Sequence, residues 1–282
     1  MTQTTVADEN TLARLPLART AALQYALRLA DNALILGQRN AEWCGHGPAL
    51  EEDIALANIS LDLIGQARLL YTHAGVLEGQ LTGRARHEDD YAYWRHERDF
   101  RNWTLQELPH HGPLAGTARI DRDYAVTIMR NFLYGALMAE LWPALESSRD
   151  TELAAIAAKS AKEARYHLQH AAGWVVRLGD GTEASHARMQ QALNHLLPYM
   201  NECFAADPVE QEAAAQGVAV PTADLRDRWD ATVHATLDEA TLQLPAPSAF
   251  LSTGKHGVHS EHMSYLLAEM QGLARAHPGA QW

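Results

Sequence analysis

The sequence predicts an all-α protein built around four long helices. Apolar residues recur at helical spacing through most of the chain. Runs of alternating β-branched residues, which would mark strands, are nearly absent. Residues that start and stop helices stand at the ends of the patterned segments. The first long helix is expected over 20–42 and the second over 48–78, with Pro48 at its first position after Gly47. The third is expected over 117–147. The fourth covers 151–178, with Asp150 as N-cap and Gly179 where it should stop. Each would span roughly 40 Å at 1.5 Å per residue. Further helices follow over 185–204, 208–216, 222–241 and 258–276. One of them opens on Asp207-Pro208-Val209-Glu210, a capping residue with Pro at N1 and Glu at N3, and the next on Thr222.

After the second long helix, the segment from Arg84 to Gly116 is rich in charge and in aromatic residues (Tyr91, Tyr93, Trp94, Phe100, Trp103), and it ends in Pro109, Gly112, Pro113 and Gly116. This composition fits a crossover with short helical pieces. Four long helices with one extended crossover match a ferritin-like four-helix bundle, here with additional C-terminal helices, better than an up-down bundle. No internal repeat or low-complexity linker divides the chain, so residues 20–282 are expected to form one domain behind a flexible tail at 1–19.

With 282 residues, 47% of them hydrophobic, the chain can bury a sizeable core. The first twenty residues hold no signal-peptide core, and nothing approaches the ~18 apolar residues of a membrane span, so a cytoplasmic protein without membrane contact is expected. Cys44 and Cys203 lie too far apart for a disulfide framework or a cysteine-rich zinc module. The 23 Lys and Arg face 35 Asp and Glu, a formal charge of −12, and this field argues against nucleic acid. A local basic patch could still hold a small anion, since screening confines such effects to about 8 Å.

Polar residues form stripes on the long helices. Asn58, Asp62 and Gln66 repeat at i, i+4, i+8 on the second. Glu163, His167 and His170 run along the fourth, and Asp31, Gln38 and Glu42 along the first. Such stripes face solvent or a partner, form a buried hydrogen-bond network, or hold a metal, because unpaired buried polar groups are costly. A di-iron or di-manganese bundle takes a Glu from each of two helices and a Glu-x-x-His from each of the other two. The two literal matches, Glu107 to His110 and Glu183 to His186, fall in a Pro-Gly loop and at a helix start. Where bundle geometry wants the motif, the chain reads Leu63-Ile64-Gly65-Gln66 and Ala164-Arg165-Tyr166-His167. One imidazole survives and both motif carboxylates are gone. The expectation is a degenerate metal site, a polar network of Glu42, Asp62, Gln66, Glu163 and His167, with no catalytic residue and no metal ligand set.

Several segments carry a resemblance. Glu42-Trp43-Cys44-Gly45-His46, the run from Leu56 to Arg68, Lys162-Glu163-Ala164-Arg165-Tyr166-His167, Gly254-Lys255 through Glu261-His262, Met270-Gln271 and the closing Pro278-Gly279-Ala280-Gln281-Trp282 together resemble the C subunits of bacterial phenylacetyl-CoA epoxidase complexes, over roughly residues 20–282. The resemblance implies a non-catalytic ferritin-like subunit of a multicomponent monooxygenase. In that family the iron belongs to a homologous A subunit, which epoxidises the ring of phenylacetyl-CoA with O2, and a reductase subunit delivers electrons from NADPH. It further implies that this chain pairs with the A subunit, joins the other subunits in a hetero-oligomer, touches substrate at most peripherally, and holds no cofactor of its own. Against the A-subunit pattern, the motif glutamates fall at Leu63 and Ala164, and one motif histidine at Gln66.

Ser252-Thr253-Gly254-Lys255-His256-Gly257 precedes a helix, and Lys255 is a candidate contact for the CoA phosphates. His256, His259 and His262 cannot converge from one regular helix, so zinc is not expected there. The crossover aromatics suit packing within the bundle or against another subunit better than a substrate pocket. Two competing functions are an oxidoreductase with an atypical mononuclear site, using His167 with Glu163, Asp62 or Glu42, and a CoA-binding regulatory module.

Overall fold

A computed structural model describes residues 20–112 and 122–280. Among these residues the regular structure is helical, without strands. Four long helices form the bundle: α1 (Ala21–Ala41), α2 (Leu50–Thr82), α5 (Tyr124–Leu145) and α6 (Thr151–Gly179). Helices α1 and α2 pack as one hairpin, α5 and α6 as another, and α2 lies along α6. The arrangement is the all-α, ferritin-like bundle that the periodicity predicts. The crossover joins the hairpins and carries α3 (Glu88–Tyr93), a 3-10 turn (Glu97–Asp99) and α4 (Thr104–Glu107). The C-terminal part adds α7 (Glu183–Leu196), α8 (Met200–Phe204), α9 (Pro208–Ala215), α10 (Arg226–Glu239) and α11 (Glu261–Ala276).

The caps explain most boundaries. Asp123, Asp150 and Asp207 each accept backbone N–H bonds at the start of α5, α6 and α9. Pro48 does not occupy the first turn of α2: Ala49 is the N-cap, so the proline precedes the helix. Glu210 does not close a capping box either, because its carboxylate turns inward to accept from Thr222 Oγ1 at 3.1 Å. The segment expected as one helix over 185–204 is broken at Leu197-Pro198-Tyr199, a 3-10 turn, where proline removes an N–H donor. The expected tail at 1–19, the start of the third helix at 117, Pro113, Gly116 and the last two residues lie outside the described residues.

The crossover is tied down from within. Gly75 on α2 lets Arg86 approach so closely that an added Cβ would stand 2.1 Å from the Arg86 carbonyl oxygen. Asp31, on α1 and without solvent contact, pairs with Arg95, accepts from Tyr71 Oη at 2.5 Å, and accepts from the Arg101 N–H at 2.7 Å. The C-terminal segment is anchored by interior carboxylates. Glu202 accepts from the N–H of Thr104 and of Lys255 and from Ser252 Oγ. Glu107 accepts from Asn102, from His259 Nδ1 at 2.7 Å and from the Ser260 N–H. Asp207 pairs with Arg28 at 2.6 Å and Lys255 at 3.3 Å.

Candidate functional site

Helices α2 and α6 run antiparallel and carry the predicted polar residues into one seam. His167 Nε2 lies 3.0 Å from Asp62 Oδ2, and Gln66 Nε2 donates to Glu163 Oε2 at 2.8 Å. The partners step by four residues in opposite directions on the two helices, so the contacts form two rungs one turn apart. Lys159 reaches the other oxygen of Glu163 at 3.8 Å. A carboxylate only accepts, so Nε2 of His167 carries the proton shared with Asp62. Burial pushes the His167 imidazole below its usual range, and the Asp62 and Glu163 charges only partly restore it. The rung is therefore a neutral ring donating to a carboxylate.

Beside these rungs, Leu63 and Ala164 close a small cavity with Leu36, Asn131, Tyr134, Gly135, Met138 and Trp142. Its volume is about 10 Å³, comparable to the roughly 10–15 Å³ that one water-sized sphere needs. Neither Leu63 nor Ala164 offers a donor atom. Gln66 and His167 of the rungs complete the lining of the cavity. Among the described residues, no group of three or more His, Cys, Asp or Glu is arranged to hold a metal ion.

The other stripe residues go elsewhere. Asn58 is exposed, on the same side of α2 as Leu50, Ile54 and Leu61, so the stripe leaves the interior at its N-terminal end. Helix α2 also carries exposed apolar side chains: Leu50 is 72% and Leu61 66% exposed, and Tyr166 of α6 is 51% exposed. Glu42 does not join the rungs. It pairs with Arg39 at 2.6 Å and lies 3.6 Å from His110. Asp31 belongs to the Arg95 network, and Gln38 is half-buried. His170 turns to Glu52 at 2.9 Å, which also accepts from Tyr124 Oη at 2.6 Å.

The two literal Glu-x-x-His strings do not act as pairs. Glu107 faces His259, whereas His110 Nε2 faces the Arg39 carbonyl at 2.6 Å and its Nδ1 lies 2.6 Å from Thr127 Oγ1. His186 bonds the Gly179 carbonyl while Glu183 is exposed. Lys255 does not offer its ammonium to a phosphate, as its glycine-rich setting suggests. It is only 3% exposed, donates to the Ala205 carbonyl and pairs with Asp207. Its charge is spent inside the fold, which corrects that expectation. Burial alone would push the Asp207 carboxyl up, but Arg28, the backbone N–H of Glu210 and Lys255 hold it down at about 2. Sequence reasoning missed the Asp31–Arg95, Glu107–His259 and Glu52–His170 pairs, whose partners lie at least 64 residues apart.

The phenylacetic acid catabolic protein family matches the chain over residues 3–282. The chain belongs to that family. It is also 46% identical, over 92% of its own length and 98% of the relative's, to the C subunit of 1,2-phenylacetyl-CoA epoxidase from Escherichia coli strain K12. Both likenesses span the α2–α6 seam, and the family carries a role in phenylacetate catabolism, as one subunit of an epoxidase. No helix among the described residues is long and apolar enough to cross a membrane.

Proposed function

We propose that this family member is the non-catalytic structural subunit of a multicomponent monooxygenase that epoxidises the ring of phenylacetyl-CoA. It pairs with and stabilises a homologous di-iron A subunit, works in the cytoplasm, and leaves iron, O2 and NADPH-derived electrons to its partners. What supports this reading is that Leu63 and Ala164, which offer no donor atom, stand where the resemblance puts the A subunit's motif glutamates, beside a cavity of only about 10 Å³. The likeness to the C subunit of an epoxidase supports it.

The face that α2 and α6 leave uncovered supports the pairing. Leu50, Ile54 and Leu61 on α2 and Tyr166 on α6 are all more than half exposed. Exposed apolar side chains gathered on one helix face mark a protein contact, and helix faces of this spacing pack ridge into groove against another bundle.

The test is metal content by elemental analysis, on the chain purified alone and after co-expression with a di-iron A subunit. Iron confined to the complex fits the proposal. About two iron atoms per isolated chain, the stoichiometry of a di-iron bundle, would overturn it.

A further inference from the structure

Side chains from all four corners of the bundle meet at one of its ends. Trp43 follows the last turn of α1, Glu52 lies in the first turn of α2, Tyr124 opens α5, and Trp174 stands in the last turns of α6. The ring centroids of Trp43 and Tyr124 are 5.6 Å apart at 86°, and those of Tyr124 and Trp174 are 5.6 Å apart at 89°. Tyr124 thus makes edge contacts with two indoles at once. Trp43 is buried, and the other two rings are half-buried. The Tyr124 hydroxyl donates to Glu52 Oε2 at 2.6 Å, and the same oxygen faces His170 Nε2 at 2.9 Å.

A phenol gives up an electron readily only when its proton leaves as well, because oxidation makes the hydroxyl a strong acid. A carboxylate at hydrogen-bond distance therefore favours an electron hole on a tyrosine, and a cation over the ring opposes it. Among the described residues three phenols donate to a carboxylate: Tyr71 to Asp31, Tyr91 to Glu78 and Tyr124 to Glu52. The first two lie under guanidinium groups. Arg95 is 5.3 Å from the Tyr71 centroid and 5.8 Å from that of Tyr91, and Arg86 is 6.0 Å from the latter. Among the described residues no cation covers the Tyr124 ring. Tyr134 also touches an indole, that of Trp103 at 6.2 Å, but its buried hydroxyl has no partner to take a proton. Arg177 stands 5.3 Å over Trp174, so a hole on that indole is driven towards Tyr124. In the resting protein, burial and then Glu52 raise the Tyr124 phenol and keep its proton in place.

We propose that Tyr124 is a one-electron redox site, fed through Trp43 and Trp174, with Glu52 as its proton acceptor. A one-electron oxidant, such as an oxygen-derived radical, takes an electron from an indole. The indole takes one in turn from Tyr124, whose phenolic proton moves to Glu52 Oε2. The products are a neutral tyrosyl radical and a neutral carboxylic acid. A one-electron reductant, such as a thiolate, returns the electron while Glu52 returns the proton. The site intercepts oxidising equivalents at one end of the bundle and does not depend on the subunit reading.

The test uses the intact chain and azide radicals from pulse radiolysis, which oxidise indoles ahead of phenols. Tryptophan-radical absorbance should convert to tyrosyl absorbance in a first-order step whose rate does not vary with protein concentration. Tyr124→Phe should remove that step and let tryptophan radicals persist. Glu52→Gln keeps the shape of the acceptor but weakens its basicity, and it should slow the step severalfold. Tyr134→Phe should leave it unchanged, and circular dichroism checks that each variant is folded. Conversion at an undiminished rate in either folded Tyr124→Phe or folded Glu52→Gln would overturn the site. Loss of the step in Tyr134→Phe alone would assign it to the Trp103 contact and overturn the proposal equally.

Discussion

Asp62 and His167 meet across α2 and α6 with Oδ2 and Nε2 3.0 Å apart, one helical turn from the Gln66–Glu163 contact. Each polar side chain of these two contacts faces its counterpart on the opposite helix. The polar atoms of the seam satisfy one another, and Leu63 and Ala164 lie beside them.

Restoring carboxylates alone should not restore a metal site. The double variant Leu63→Glu, Ala164→Glu is expected to bind no iron by elemental analysis, because Gln66 donates an amide N–H where an imidazole nitrogen is needed. Adding Gln66→His should allow uptake. Iron in the double variant would contradict the argument.

His259 is a second point of leverage. Burial alone would lower its imidazole, but hydrogen bonding and charge from Glu107, with the Phe100 carbonyl, hold it above its usual range. Both ring nitrogens face acceptors, at 2.7 and 3.2 Å, so the ring carries both protons. His259→Leu leaves Glu107 buried without its cation and should cost about 3–5 kcal/mol in chemical denaturation.

The pH dependence of stability has opposing parts. His259 has a raised folded pKa, so its contribution is full below the unfolded value near ~6.5 and is lost as pH rises through the folded value. His110 and His195 are lowered, the latter to about 4, mainly by burial. Their contribution is present above ~6.5 and is lost as pH falls, since the unfolded chain then binds more protons. Thermal melts should show Tm falling between about pH 6.5 and 4, and H195Q should flatten part of that fall.

Lys255→Met should destabilise the chain, because Asp207 and the Ala205 carbonyl lose a buried donor. A cost of about 1–3 kcal/mol is expected. The affinity of the assembled complex for its CoA substrate should not change. A loss of affinity without a loss of stability would reinstate Lys255 as a ligand contact.

Leu61→Glu should behave in the reverse way. Leu61 is 66% exposed, so stability in urea should stay within about 0.5 kcal/mol. Co-purification with the A subunit should fall, because a charge would be desolvated on the proposed contact face.

Much of the fold is legible in the sequence because a bundle helix writes its buried face at a 3.6-residue period and its ends in single capping residues such as Asp150 and Asp207. The two sides of the seam are legible for a related reason: positions one turn apart share a face, so spacing puts Asp62 with Gln66 and Glu163 with His167, each pair on one side of its own helix. What periodicity cannot give is the partner of a polar residue. Asp31 lies in line with Gln38 and Glu42, yet its charge is met by Arg95 from the crossover. Lys255 sits in a glycine-rich helix approach that reads as an anion cradle, and only tertiary packing shows that Asp207 has already claimed it.

The anchoring of residues 252–260 bears on how the molecule is made. Glu107, Glu202 and Asp207 draw N–H, hydroxyl, imidazolium or ammonium partners from this late segment. A ribosome would release the long hairpins well before it released those partners, and domains begin folding as they emerge. Until the last stretch arrives, the nascent bundle holds interior carboxylates that must stay hydrated or protonated. Closure of the interior therefore waits for residues 252–260, and a chain cut short after α10 would be left with an acidic, water-seeking centre.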